Sequence, residues 1–189
     1  LRAYDLLGDD ENDLRELPTG LQYLRGIPFQ ISANPTRAVV MLQGGERQYF
    51  ADEATVRVGR QVGALYLLHG CAWAGAGETA FTVMVHYEDG GTAEVPVRVG
   101  RETLDWWGVR DLGDEAKGAW RGANARSPVG LMALRWVNPD PDRPVRGLVL
   151  RSGDGPVAGI VAATIASAPV PFAGVTAGTA KLPPLKVAA

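Results

Sequence analysis

The stretch Phe81-Thr82-Val83-Met84-Val85-His86-Tyr87-Glu88-Asp89-Gly90-Gly91, with Glu94-Val95-Pro96-Val97-Arg98-Val99 after it, decides the class of fold. Successive side chains of a strand point to opposite faces. Phe81, Val83, Val85 and Tyr87 therefore share one face, and Val95, Val97 and Val99 share another. Glu88-Asp89-Gly90-Gly91 reads as the hairpin between them, because glycine reaches the positive φ of a tight turn without a Cβ clash. Pro96 has no N–H for a ladder, so its strand is expected at a sheet edge or at a bulge.

Outward from this hairpin, residues 38–42, 55–58, 65–73, 130–136, 145–151 and 157–165 read as further short strands. They are separated by turn-forming clusters such as Gln43-Gly44-Gly45, Asn138-Pro139-Asp140-Pro141-Asp142 and Gly153-Asp154-Gly155-Pro156. The best helical candidate, residues 111–120, is interrupted by Gly113 and Gly118 and reads as a loop. The fold class is all-β. About eight strands at this spacing suit an antiparallel β-sandwich or jelly roll with an extended C-terminal tail. Residues 1–165 are expected to form the sandwich domain, with 1–20 as an acidic N-terminal arm. Residues 166–189 form an apolar tail or linker, in which Pro169, Pro171, Pro183 and Pro184 exclude a helix.

Composition narrows the function classes. The 189 residues suit one domain with tails, and 46% hydrophobic with 21% charged residues is ordinary for a globular chain. Nineteen Lys and Arg against 21 Asp and Glu leave a formal charge of −2. The cations are scattered, so the basic face that a nucleic-acid backbone requires is not expected. No apolar run reaches the roughly 18 residues of a membrane span. Cys71 is the one cysteine, which rules out an intrachain disulfide. Within Leu67-Leu68-His69-Gly70-Cys71-Ala72-Trp73 it reads as a small buried hydrophobe. A start at Leu1 rather than Met reads as a processed or excised product, which favours export to an extracellular or cell-surface location.

No catalytic constellation is legible. There is no G-x-S-x-G, no phosphate-cradling glycine loop ahead of a helix, and no zinc-ligand spacing among His69, His86 and Cys71. His69 shares a strand face with Leu65, Leu67, Cys71 and Trp73 and reads as a core histidine, whereas His86 opposes its hairpin's apolar face. No catalytic residue and no organic cofactor are expected.

Binding chemistry has better candidates. Sugars offer apolar C–H faces and ring hydroxyls, so their sites combine exposed aromatic rings with Asp, Asn or Arg. Asp105-Trp106-Trp107-Gly108-Val109-Arg110-Asp111 holds these types in one loop-like stretch. Adjacent residues cannot both face one side of a strand, which leaves at least one of Trp106 and Trp107 for solvent. The alternative is that one indole plugs the sandwich end and the other packs under a loop. Trp120 and Asn124 are candidates for a second wall, or Trp120 simply opens the strand after Pro128. Trp73 and Trp136 read as core or rim packing.

Asp9, Asp10, Glu11 and Asp13 cluster hard oxygen ligands and suit calcium, or else form a solvated acidic arm. In the tail, Val170, Phe172 and Val175 stand among small residues. Such a segment can add as a strand to a neighbouring sandwich, and a head-to-tail contact of that kind builds an open filament. The alternative is a linker to another domain.

An ordered series of short motifs adds a resemblance. It runs Glu11-Asn12-Asp13-Leu14, Leu17-Pro18-Thr19-Gly20, Gly26-Ile27-Pro28-Phe29 and Ala64-Leu65-Tyr66-Leu67-Leu68-His69. It continues through Val85-His86-Tyr87-Glu88-Asp89-Gly90, Asp105-Trp106-Trp107 and Arg135-Trp136-Val137-Asn138-Pro139, then the strand at 145–150. Together these resemble the galactose-binding-like β-sandwich modules appended to bacterial glycoside hydrolases and other secreted proteins, over residues 5–165. The resemblance implies an antiparallel jelly roll, export, and in many relatives sugar binding at loops on one end of the sandwich. The function expected is a non-catalytic carbohydrate-binding module of an extracellular protein, with a polysaccharide or glycan as partner. The alternative is a structural subunit of an extracellular filament, self-assembled through the tail into a homopolymer.

Overall fold

The computed structural model describes residues 13–34, 36–45 and 47–174. They contain eleven strands and no helix. In chain order these are β1 (Gly20–Leu24), β2 (Ile27–Ile31), β3 (Val40–Leu42), β4 (Glu53–Arg60), β5 (Ala64–Ala72) and β6 (Thr79–Tyr87). There follow β7 (Thr92–Arg98), β8 (Ala116–Ala123), β9 (Pro128–Val137), β10 (Val145–Ser152) and β11 (Val157–Ala166).

Eight of them pair as a rolled-up hairpin. β6 pairs with β7, β5 with β9, β4 with β10 and β3 with β11, each nested outside the last and all antiparallel. Rolling this hairpin also brings β10 beside β6 and β11 beside β5. The result is two facing sheets, β4-β10-β6-β7 and β3-β11-β5-β9, the jelly-roll arrangement, with β8 extending the second sheet beyond β9. These eight strands are the eight read from the sequence. Pro96 lies in β7, an edge strand, opposite Thr82.

Alternation explains the interior. Phe81, Val83, Val85 and Tyr87 of β6 meet Val95, Val97 and Val99 and the inward residues of β5, β10 and β11 in one buried cluster. β5 is buried on both faces, with every residue from Ala64 to Cys71 out of solvent. Leu65, Leu67 and Cys71 point into the sandwich, whereas Ala64, Tyr66 and Leu68 point to a second cluster outside it. That second cluster is roofed by the β1–β2 hairpin through Ile27, Phe29 and Ile31, and by Leu17. The acidic N-terminal arm expected over residues 1–20 thus contributes a core residue at Leu17. Arg25 and Gly26 form the two-residue turn of this hairpin, with φ of 54° and 79°. Positive φ at both positions is the type I′ turn that matches strand twist.

Residues 111–120 were expected as a loop, yet β8 begins at Ala116. Gly118 serves close packing rather than a break: a Cβ there would lie 3.0 Å from Val109 Cγ1. The β8–β9 register slips between Gly118 and Trp120, so that Gly118 faces Met132 but Trp120 faces Leu131. The extra residue turns Trp120 out to the second cluster.

The described part of the tail folds back on its own domain. Tyr66, buried beneath it, donates its hydroxyl to the Val170 carbonyl at 2.7 Å and accepts the Val170 N–H at 2.6 Å. The Phe172 ring meets Tyr66 edge-on at 5.8 Å, and Ala173 N–H donates to the Arg25 carbonyl at 2.9 Å. Tyr66→Phe removes both hydroxyl bonds and strands the Val170 N–H. The expected cost is about 1–2 kcal/mol. Hydrogen exchange over residues 167–174 should accelerate, while the sandwich strands keep their protection.

Candidate functional site

One end of the jelly roll gathers the loops 43–52, 73–78, 99–115 and 153–156, and here Tyr49, Trp73 and Trp107 reach solvent. The pairing of β5 with β9 stops at His69 and Met132. Residues 105–106 slot into the gap that follows. Trp106 N–H donates to the Cys71 carbonyl at 2.9 Å, and Gly130 N–H donates to the Trp106 carbonyl at 2.8 Å. Trp106 settles over Gly70, where an added Cβ would lie 3.2 Å from Leu131 Cδ2 and 3.7 Å from Trp106 Cβ. Its indole N–H is shielded from solvent and has no acceptor among the described residues.

Asp105 organises the rim. Its Oδ2 accepts the Ala74 N–H at 3.3 Å and its Oδ1 accepts the Trp107 N–H at 3.2 Å. One carboxylate thus ties together the backbones that carry Trp73 and Trp107. Both indoles stand out of the protein, 47% and 53% exposed. Trp73 adopts a φ of 59°, a left-handed conformation costly for a non-glycine residue and concentrated at binding sites. Arg47 stacks on it, with Cζ 3.8 Å from the ring centroid. Trp106 and Trp107 lie 6.0 Å apart with their planes 33° from parallel.

The structure brings Asp105, Trp106, Trp107 and Arg110 into this one loop. Arg110 is exposed, and its guanidinium donates only to the Gly108 carbonyl, at 3.4 Å. Trp120 and Asn124 are used elsewhere. Trp120 packs into the outer cluster, and Asn124 Oδ1 accepts the N–H groups of Arg126 and Ser127, both at 2.9 Å, to shape the β8–β9 turn. Trp73 and Arg47 are site residues that sequence reasoning passed over. A Trp closing a strand just before Ala-Gly-Ala-Gly is the trace Trp73 leaves in the sequence. Arg47 leaves none, because its partner lies in a different loop.

Beneath the rim the reactive side chains are sealed. Burial pushes the Cys71 thiol up to about 12, the carboxylates of Asp105 and Glu78 add to this, and its hydrogen bond with Thr103 opposes it. His69 is fully buried against Phe81, and burial pushes it down to about 4. His86 lies half-exposed on the outer face of β6.

Of the acidic cluster, Asp9, Asp10 and Glu11 lie outside the described residues. Burial tends to raise the Asp13 carboxyl, but Arg15, at 2.8 Å, outweighs this and holds it low. Among the described residues no group of three or more His, Cys, Asp or Glu is arranged to hold a metal ion. No helix among them is long and apolar enough to cross a membrane. Of the tail residues singled out for assembly, Val170 and Phe172 contact their own domain as described above. Val175 lies outside the described residues. No protein-family model matches the chain, and no curated protein matches it.

Proposed function

We propose that the chain is a non-catalytic carbohydrate-binding module of an extracellular protein, with Trp73, Asp105, Trp107 and Arg47 as its site. The observation that carries this reading is the pair of exposed indoles whose backbones are held by one carboxylate, at the loop end of a jelly roll. Exposed indole faces match the C–H faces of pyranose rings, and a rigid scaffold keeps them from collapsing onto each other. The resemblance to galactose-binding-like modules implies sugar binding at loops on one end of the sandwich, which agrees with a site among loops. Beneath the rim the thiol of Cys71 and the imidazole of His69 are sealed, so the rim offers stacking surfaces and hydrogen-bonding groups rather than a nucleophile. The filament reading has less behind it, since strand addition through Phe172 requires that ring to leave Tyr66.

Isothermal titration against a panel of neutral and acidic polysaccharides tests the proposal. Trp73→Ala and Trp107→Ala should each weaken binding by about tenfold, the loss of one stacking surface. The unfolding midpoint should hold for Trp107→Ala, because its ring is outside the core. No heat with any polymer, or full affinity in both variants, sinks the reading.

A further inference from the structure

Five arginines are half-buried among the described residues: Arg25, Arg47, Arg98, Arg135 and Arg143. Four of them are ion-paired, Arg25 with Asp111 at 2.6 Å, Arg98 with Glu102 at 3.2 Å, Arg135 with Glu115 at 2.7 Å and Arg143 with Asp89 at 2.8 Å. Arg47 is the exception. Its guanidinium lies on the Trp73 ring, and no carboxylate or carbonyl among the described residues accepts its N–H groups. Stacking uses the π face of a guanidinium and leaves its five in-plane donors pointing past the edge of the ring. A half-buried cation with unspent donors costs solvation that a protein ordinarily recovers by pairing.

Among the described residues, carboxylates on the loops of this end are engaged with other groups. Asp105 accepts two backbone N–H groups, Glu78 accepts the Gly75 N–H at 2.8 Å, and Glu102 pairs with Arg98 and Arg101. Asp52 and Asp154 are exposed on adjacent loops, so this end is not uniformly basic. Selection here is local, by one oriented guanidinium rather than by a broad field.

We propose, resting on the carbohydrate-binding reading, that the site selects acidic glycans, with Arg47 pairing to a ring carboxylate or sulfate ester while the sugar face packs on the tryptophans. A fork of two parallel N–H donors fits either oxyanion, and a charge-assisted pair discriminates more strongly than a neutral hydrogen bond. The chain's net charge of −2 gives no general attraction to polyanions that could mimic this.

The test uses matched polymers on the full chain. Pectate and alginate are titrated beside the same polymers with carboxylates reduced to alcohols, and a sulfated galactan beside its desulfated form. Binding to the better acidic member should exceed its neutral counterpart by about tenfold or more. Arg47→Gln should erase that preference, read as the ratio of acidic to neutral affinity within the same variant, while Arg60→Gln, at the opposite end of the sandwich, should retain both the preference and the neutral affinity. Which pair shows the preference tells a carboxylate ligand from a sulfate one. Equal binding of acidic and neutral members, or an unchanged preference in Arg47→Gln, overturns this inference and leaves carbohydrate binding standing. Absence of binding to every polymer overturns both.

Discussion

Asn138→Ala is expected to lower stability by about 3 kcal/mol, which for a domain of this size moves the thermal midpoint down by roughly 10 °C. Asn138 follows β9 at the end of the sandwich opposite the exposed Trp73 and Trp107, and is 3% exposed. Its Nδ2 donates to the Val62 carbonyl at 2.8 Å, and its Oδ1 accepts the Tyr87 hydroxyl at 2.7 Å and the Asp140 N–H at 3.0 Å. One amide therefore joins the β4–β5 connection, the end of β6 and the β9–β10 loop. Alanine leaves a buried carbonyl and a buried phenol unpaired, and those orphaned groups set the size of the effect. Tyr87→Phe removes only one of these bonds and should cost about 1 kcal/mol. Arg143 stacks on Tyr87 at 4.0 Å and grips Asp89 in bidentate fashion, but this clamp faces solvent and adds little. Urea unfolding of both variants checks the account. If Asn138→Ala cost no more than Tyr87→Phe, the shared-amide explanation would fail.

Acidification to pH 4 should destabilise the fold by about 3 kcal/mol through one buried group, with about 2 kcal/mol of this already lost at pH 5, where most surface carboxylates are still ionised. The cause is His69. Its Nδ1 lies 3.3 Å from the Leu67 carbonyl, which can only accept, so the tautomer with its proton on Nδ1 makes that bond, and no group among the described residues meets hydrogen-bond geometry at the buried Nε2. Burial lowers its folded pKa from 6.5 to about 4, and the Leu67 and Glu102 carbonyls, which favour the charged ring, do not compensate. The unfolded chain binds the proton more readily, so stability is complete above pH 6.5 and falls as pH drops towards 4. Asp89 is distinguishable, because its hydrogen bonds with Arg143 hold it down to about 2 and its share is lost only in stronger acid. Unfolding free energies measured in steps through this window should show the slope, and His69→Leu should flatten it. A slope that persists in His69→Leu would assign the acid sensitivity to another group.

Legibility followed the range of the physics involved. The β6–β7 hairpin was readable because alternation, Gly90 and Pro96 all act within a few residues. β1 and β2 were not read, because Arg25-Gly26 is a poor turn signature and the hairpin is stabilised by what it covers rather than by its own alternation. β8 was missed for a related reason. Its glycines resemble breaks until Val109 is seen to pack on Gly118. Within the site, Asp105 and Trp107 sit two positions apart and could be suspected together. Arg47 and Trp73 come from different loops and could not.

By itself the sequence determined the all-β class and the eight strands of the roll, since side-chain period and turn chemistry are local properties. Burial of β5 on both faces came only with the structure. Only the tertiary structure decided what covers it, because the β1–β2 hairpin and Phe172 arrive from the two ends of the chain. Only the tertiary structure decided, too, which tryptophans face solvent. A bulge in β8 turns Trp120 under the outer cluster and a left-handed residue turns Trp73 to solvent, and neither backbone choice is written in the side chain that it aims.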